Sequence, residues 1–193
     1  MTHTPFACRC GATEWQIERP KSGLHLICYC ADCQTAARHL GTDGVMDAAG
    51  GTNILQVAPE QITFTKGAEN LGVLRLSPKG LMRWHTTCCN TPVANTVQSP
   101  KIAFAGVIAT NHRGDPKALG KVRAWVNTVY AKGARKPAKD QGMGRMAWTF
   151  LSRAFVQYTS GRWRNTPFFA GPDMAPVATP RVLSKEERNR ARP

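Results

Sequence analysis

The seven cysteines of this 193-residue chain stand in three short clusters. In chain order they are Cys8 and Cys10, then Cys28, Cys30 and Cys33, then Cys88 and Cys89. Thiolates two or three residues apart suit a soft, tetrahedral metal such as zinc, because one short loop can aim them at a point about 2.3 Å from each sulfur. The clustering therefore indicates metal binding. Two alternatives stand beside it: reduced cysteines of a protein core, and a single metal with spare thiols.

The seven thiols divide into a group of four and a group of three. The first pair, followed by Gly11, resembles one arm of a zinc knuckle, and the last pair is left to complete it as a structural zinc site. Three protein ligands with an open position are the arrangement of a catalytic zinc, so we predict a second, reactive zinc on the remaining thiols. We name the two groups the four-cysteine set, which is Cys8, Cys10, Cys88 and Cys89, and the central triplet, which is Cys28, Cys30 and Cys33.

The first 110 residues predict short strands separated by turns. Trp15 and Ile17 alternate with polar neighbours, which indicates a half-buried strand. After Cys33 the residues up to Leu40 favour one or two helical turns, which Gly41 ends. We predict eight strands, at residues 14–18, 24–28, 54–57, 61–66, 72–76, 81–85, 91–96 and 102–109. Residues 1–110 are therefore expected to form a zinc-binding β domain.

The pattern changes after residue 110. Asp115-Pro116 is typical of a helix start, and apolar residues then recur at helical spacing up to Val129. A second amphipathic helix is predicted from about Met143 to Ser160, with Gly161 after it. Its predicted apolar side comprises Met146, Phe150, Leu151, Ala154 and Tyr158.

Three regions follow from these patterns. They are a zinc-binding β domain over residues 1–110, a basic helical hairpin over residues 111–170, and a Pro/Arg-rich tail over residues 171–193. Within the tail, Ser184 and Glu187 have the spacing of a capping box for a short helix. The predicted fold class is mainly β with a C-terminal α-helical extension, and α+β overall.

Most of the net positive charge of the chain lies after Thr110. The formal net charge is +14. Up to Thr110 there are 9 basic against 7 acidic residues, and after it there are 17 against 5. This asymmetry suggests contact with nucleic acid or another polyanion. The basic residues that span the predicted hairpin are Arg123, Lys132, Arg135, Lys136, Lys139, Arg145, Arg153, Arg162 and Arg164, and they interleave with Trp125, Trp148 and Trp163.

The sequence gives no sign of export or of a membrane span. Residues 1–27 lack an apolar run behind a basic start, and no stretch approaches 18 consecutive apolar residues. An odd number of cysteines without an export signal favours metal ligation in a reducing compartment over disulfides. We therefore expect a cytoplasmic protein with no membrane partner, whose oligomeric state the sequence leaves open.

Three ordered motifs resemble the family of glutathione-dependent formaldehyde-activating enzymes, whose superfamily includes centromere protein V. They are Cys8-Arg9-Cys10-Gly11, then Cys28-Tyr29-Cys30-Ala31-Asp32-Cys33, then Cys89-Asn90-Thr91-Pro92. The family pattern is CxCG, CHCxxC and FCxxCGxPL, and the resemblance covers residues 6–110. It implies a zinc-bound β-tent fold, a structural zinc, and a second, reactive zinc on the central triplet. It also implies a carbon–sulfur lyase reaction that links formaldehyde to glutathione.

The third motif departs from the family pattern. If Cys89 is its second cysteine, Thr86 stands where the first is expected and Asn90 replaces a glycine. The fourth structural ligand is then Cys88 or His85, and we favour Cys88 because seven preserved cysteines suggest seven ligands. Asparagine suits the glycine position because it tolerates a positive φ.

A reactive triplet needs groups that move protons and bind an anionic thiol. Asp32 and His39 are candidates for the groups that relay the proton. The simpler interpretation is that Asp32 is a solvated carboxylate and His39 a surface histidine. Arg38 and Lys79 are candidate cations for glutathione. The predicted function is a carbon–sulfur lyase acting on small thiol–aldehyde adducts. The alternative is a non-enzymatic zinc scaffold whose basic part binds nucleic acid or another polyanion.

Overall fold

Two open β-sheets and three α-helices organise the part of the chain that the structure describes. The computed structural model describes residues 3–133 and 136–193. The helices are α1 (Ala31–His39), α2 (Met143–Thr159) and α3 (Lys185–Ala191). The strands are β1 (His3–Ala7), β2 (Glu14–Glu18), β3 (Leu24–Cys28), β4 (Thr52–Val57), β5 (Ile62–Lys66), β6 (Leu71–Arg75), β7 (Met82–Thr86), β8 (Pro92–Thr96), β9 (Ala105–Ile108), β10 (Ala124–Val126), β11 (Phe169–Ala170), β12 (Ala175–Pro176) and β13 (Arg181–Val182).

The strands pair mostly with antiparallel neighbours. The smaller sheet has the order β1-β2-β5, and the larger has the order β10-β3-β4-β9-β8-β7-β6-β13. The outermost strands of the larger sheet, β10 and β13, run parallel to their neighbours. Strands β11 and β12 form a separate two-stranded ribbon. The predicted fold class, mainly β and α+β overall, is confirmed.

All eight predicted strands are present, as β2 to β9. Strand β1 was not predicted. Its Thr4 and Phe6 are buried, but Pro5 between them is untypical of a strand interior. Within its sheet β1 is the edge strand, and its outer side makes only an isolated bridge between Phe6 and His112. An edge tolerates proline because few ladder hydrogen bonds are needed on that side.

The prediction of a helix after Asp115, the first of the hairpin, is wrong. Asp115 does cap a helical start, accepting a hydrogen bond from the Lys117 N–H, but only one 3₁₀ turn follows. Gly120, at a φ of 76°, ends this turn, and Asn127, at a φ of 58°, precedes a second 3₁₀ turn over Thr128–Tyr130. Between them the chain extends as β10 and pairs with β3. Backbone pairing with an open sheet edge therefore overrides the helical spacing of the apolar residues.

The second predicted helix is confirmed as α2, but its buried side is only partly as expected. Met146, Phe150 and Ala154 are partly covered, as predicted. Leu151 and Tyr158, predicted on the same side, are exposed instead. The short tail helix α3 also forms, and Ser184 and Glu187 make the predicted capping box.

The main core lies between the two sheets. Its largest fully buried side chains include Trp15 from the smaller sheet and Trp84 from the larger. Phe168 is also fully buried, with its ring centroid 5.0 Å from that of Trp84. Residues beyond 110 therefore pack into the same core as the predicted β domain. None of the helices that the structure describes has the length and apolar content needed to span a membrane.

Candidate metal centres

The four-cysteine set converges on one point. The Sγ–Sγ distances are 3.5 Å for Cys8–Cys10, 3.4 Å for Cys10–Cys88, 3.9 Å for Cys8–Cys88 and 3.8 Å for Cys88–Cys89. All four sulfurs lie within 4.8 Å of one another. Sulfurs placed tetrahedrally at about 2.3 Å from a zinc ion are separated by about 3.8 Å. The set therefore has the spacing of a four-thiolate metal site.

Two turns bring these sulfurs together from distant parts of the chain. Cys8 follows β1, and Gly11, at a φ of 74°, donates its N–H to the Cys8 carbonyl at 3.1 Å. The turn between β7 and β8 carries the other pair, and Asn90 there has a φ of 56°. The expectation that Asn90 occupies a position suited to glycine is confirmed.

Thr86, which stands where the resemblance expects a cysteine, has a structural use in this turn. Its hydroxyl accepts a hydrogen bond from the Thr91 N–H at 3.2 Å and lies 3.4 Å from the Cys89 sulfur. The structure places Cys88, and not His85, with the other three sulfurs. His85 lies instead beside His39 and Arg181 in a separate surface cavity.

The protonation of this set is uneven. Burial raises the pKa of Cys89, but hydrogen bonds from the Thr86 and Thr91 hydroxyls outweigh it and lower the pKa to about 5. The Ala12 N–H lowers the pKa of Cys10, but hydrogen bonds to neighbouring cysteines outweigh it and raise the pKa to about 12. Cys89 is therefore a thiolate at neutral pH, and a metal would displace the proton of Cys10.

Three cations surround the loops that carry these cysteines. Arg9 donates to the Cys89 carbonyl at 3.2 Å, and Arg113 donates to the Cys8 carbonyl at 3.4 Å. Lys66 donates to the carbonyl of the turn glycine at 3.0 Å. These hydrogen bonds hold three positive charges against the loops that carry the four thiols.

The central triplet also converges, with its three sulfurs within 4.8 Å of one another. Cys28 ends β3, and Cys30 is the N-cap of α1. The Cys30 sulfur accepts a hydrogen bond from the Cys33 N–H at 3.3 Å. Cys33 lies in the first turn of α1, where the helix dipole favours negative charge. Both groups of cysteines could therefore hold metal ions.

A buried arginine lies against the triplet. The Arg83 Nη1 atom is 3.9 Å from the Cys33 sulfur and 3.4 Å from the Asn95 side-chain oxygen, and Nη2 is 3.8 Å from Asp32. The Arg83 residue is 5% exposed, so its charge is little screened by solvent. Arg83 was not predicted as a site residue. The available signal was a single charged residue between Met82 and Trp84 in a strand, since a buried guanidinium needs an anionic partner.

The arginine helps to decide which thiol of the triplet ionises. Hydrogen bonds from Cys28 and Cys30, together with the Arg83 charge, hold the pKa of Cys33 well below its usual range despite burial. Accepting from Cys28 lowers the pKa of Cys30, but donation to Cys33 and burial outweigh this and raise it to about 12. Hydrogen bonds to the other two thiols, followed by burial, raise the pKa of Cys28. Cys33 is therefore the thiol of the triplet that ionises most readily.

Residues beyond 110 complete the surroundings of the triplet. The Asn127 side-chain amide donates to the Cys28 sulfur at 3.5 Å. Met146 of α2 packs against the apolar cluster that contains Cys28 and Cys33. Cys30 is the most exposed of the three sulfur residues, so approach from solvent is easiest on its side.

Comparison with known proteins places the chain in a family. A family model described as a family of unknown function, DUF6151, matches residues 1–178. The chain belongs to DUF6151. None of the curated proteins compared with it matches. A crystal structure of a Rhodobacter sphaeroides protein aligns with a TM-score of 0.42 and 21% sequence identity, over 63% of this chain and 99% of that one.

The other predicted site residues of this DUF6151 chain are divided between two locations. Asp32 lies at the triplet, paired with Arg83. His39 lies at the far end of α1, beside Arg181. Arg38 donates to the Arg192 carbonyl at 2.8 Å and so contacts the C-terminal tail. Lys79 is exposed in the turn between β6 and β7. Of these four residues, only Asp32 lies near the thiols.

We predict that Arg83→Met weakens metal binding at the triplet about 10–100-fold, as expected when a group supporting metal ligands is removed. The four-cysteine set should be unaffected, and Arg83→Lys should retain part of the affinity because it keeps the charge. Competition with a chromophoric zinc chelator measures both sites, with Arg123→Met, an exposed arginine, as the matched control. Equal weakening of both sites, or of neither, would contradict the role given to Arg83.

Proposed function

We propose that the chain binds two zinc ions, a structural ion on the four-cysteine set and a second ion on the central triplet. The tetrahedral edge lengths between Cys8, Cys10 and Cys88 support the first site. An all-sulfur donor set favours a soft or borderline metal over calcium or magnesium. Three thiolates on a divalent zinc leave a formal charge of −1, and Arg83 supplies one compensating positive charge beside Cys33. The triplet offers three ligands, so a fourth position is open to a substrate.

The activity we propose is that of a carbon–sulfur lyase acting on small thiol–aldehyde adducts, as the resemblance to formaldehyde-activating enzymes suggests. In the synthetic direction, the thiol sulfur forms a bond to the aldehyde carbon, the carbonyl π bond breaks, and the thiol proton passes to the oxygen. Zinc on the triplet would keep the thiol ionised near neutral pH. The single observation that carries the proposal is a three-thiol group with a charged partner, Arg83, and an adjacent carboxylate, Asp32.

Two residues have the chemistry to assist such a reaction. Asp32, whose side chain is 68% exposed, can accept the thiol proton and return it to the developing alkoxide. Arg83 attracts the negative charge of the thiolate and holds the carboxylate beside it. Three thiolates weaken zinc as a Lewis acid, so thiol activation and orientation fit this site better than strong polarisation of a carbonyl.

A neighbouring cavity could hold the charged ends of a substrate such as glutathione. Its lining includes Arg9 and Arg113, and it has a volume of about 300 Å³. It shares Val45 and Pro92 with the small cavity beneath Cys33, so the two cavities are neighbours on either side of those side chains. Two guanidinium groups suit carboxylates. In the proposed function they replace Arg38 and Lys79 as the cations that bind glutathione.

Metal analysis tests the assignment of four cysteines to one metal site and three to another. We expect two zinc ions per wild-type chain and one in the variant with Cys28, Cys30 and Cys33 all changed to serine, because only the triplet is removed. His85→Ala should retain both ions and is the control for the assignment of the structural site to Cys88. Elemental analysis after removal of loosely bound metal measures the ratio. If the triple variant keeps two ions, or if His85→Ala loses one, the assignment is wrong.

Exchange spectroscopy tests the reaction. Addition of the wild-type protein to ¹³C-formaldehyde and glutathione should accelerate exchange between hydrated formaldehyde and the S-hydroxymethyl adduct, measured by NMR. The triple serine variant should not accelerate it. Arg113→Met should raise the glutathione concentration needed for half-maximal exchange, with little effect on an uncharged thiol such as 2-mercaptoethanol. The same slow exchange with and without protein would remove this substrate pair.

The charge of the second part of the chain supports an alternative, a zinc scaffold that binds a polyanion. Lys132, Lys136, Lys139 and Arg145 are exposed, whereas Arg135 lies outside the described residues. On this alternative the protein should bind heparin at low salt, and the affinity should fall steeply as salt rises. The triple serine variant should bind equally well. Column retention against sodium chloride concentration measures this, and elution at low salt would exclude the polyanion function.

A further inference from the structure

Helix α2 exposes a continuous apolar stripe. Its side chains are Trp148, Leu151, Phe155 and Tyr158, which are 74%, 60%, 69% and 60% exposed. Single exposed apolar residues are ordinary on a protein surface, but four large ones in a row on one helix are not. The stripe was not predicted from the sequence, where Leu151 and Tyr158 were expected to be buried.

The opposite side of α2 is attached to the body of the protein. The Gln157 side chain donates to the Glu60 carboxylate at 2.6 Å, and the Phe150 ring lies 5.8 Å from that of Phe104. Just beyond the helix, Arg162 also contacts Glu60, at 3.5 Å. These contacts set the rotation of the helix about its axis. They direct the apolar stripe outward, away from the two sheets.

The spacing of the stripe indicates what kind of surface could cover it. Successive members are separated by three, four and three residues, and Gly144 extends the pattern by a further four. This alternation is the seam of a pair of helices packed side by side. Met143 and Val156 of α2 are also exposed, at 46% and 49%, but they lie off this seam. A flat surface such as a bilayer favours a broader apolar face. The occupant best matched to the stripe is therefore another helix.

The stripe is complementary to a second copy of itself. When two copies run antiparallel about a two-fold axis between Leu151 and Phe155, Trp148 of one faces Tyr158 of the other, and Leu151 faces Phe155. The residues nearest the axis on either side of the stripe, Ser152 and Ala154, are small and uncharged. Two helices can approach closely there in spite of the net charge of each chain.

The area and the end charges agree with such a pair. Three aromatic side chains and one leucine at these exposures offer roughly 400–600 Å² per copy, and two copies would bury roughly 800–1,200 Å², the low end of specific interfaces. The antiparallel arrangement opposes the two helix dipoles and keeps the two Arg145 side chains at opposite ends. We propose that two copies of this chain associate through an antiparallel pairing of their α2 helices along the Trp148–Tyr158 stripe.

Sedimentation equilibrium of the zinc-loaded protein tests the pairing. We expect a concentration-dependent monomer–dimer equilibrium that strengthens as salt rises, because salt screens the repulsion between two positively charged copies. The variant L151S/F155S should raise the dissociation constant at least about tenfold. V129S is the matched control, since Val129 is 83% exposed but lies off the stripe. It should leave the equilibrium unchanged, and zinc content and circular dichroism should match the wild type in both variants.

Paired charges at Ser152 test the antiparallel arrangement. Two Ser152 residues face each other across the axis, so S152E and S152K should each weaken self-association, and their mixture should restore it as a heterodimer. In a parallel pair, position 152 would face position 147, and mixing would restore little. The proposal is overturned if the wild-type protein stays monomeric up to about 100 µM. It is also overturned by a dimer insensitive to L151S/F155S, or by binding of the stripe only to anionic vesicles.

Discussion

Negative charge on two compact groups of thiols is the constraint that the rest of this structure accommodates. Four thiolates on a divalent metal would carry a formal charge of −2, and three would carry −1. The positively charged side chains are placed differently at the two groups. At the four-cysteine set, Arg9, Lys66 and Arg113 donate to carbonyls of the cysteine-bearing loops from the surface. At the triplet, a single buried guanidinium, Arg83, contacts a sulfur directly. The positive charges therefore contact the backbone around the four-cysteine set, whereas at the triplet the positive charge contacts a sulfur.

This difference in charge placement fits different roles for the two groups of cysteines. Cys8 follows a strand of the smaller sheet, whereas Cys88 lies in a hairpin of the larger, so a metal on the four-cysteine set would join the two sheets at one end of the core. Joining residues 80 positions apart removes much entropy from the unfolded chain. A metal on the triplet would join only β3 to α1, which follow each other in the chain. It would therefore remove little entropy from the unfolded chain. The proposed reaction rests on the arginine and the carboxylate that lie beside the three thiols of the triplet.

The sequence predicts the elements of the cysteine region well and their partners poorly. Strand patterning found β2 to β9 because each is a short local run, and the spacing of the cysteines found both groups without reference to the fold. Arg83 was missed because a strand pattern shows that a residue is on one face but not which distant loop that face meets. The 115–130 segment was wrong for a related reason: helical spacing of apolar residues is local, whereas the edge of β3 that captures β10 is not. Leu151 and Tyr158 were assigned to the wrong side because α2 carries apolar residues on its covered side as well as on its exposed stripe.

The residues beyond 110 are part of the triplet's environment. The Tyr29 N–H, between two of its cysteines, donates to the Val126 carbonyl at 3.0 Å, and Asn127 donates to Cys28. Met146, on the inner side of α2, packs against the same cluster, while Trp148, two residues later, is on the outer stripe. A helix that is rigid over this distance cannot shift at the stripe without moving Met146. Covering the stripe would therefore fix one wall of the triplet's surroundings, which gives the basic second half of the chain a physical connection to the thiols of the first.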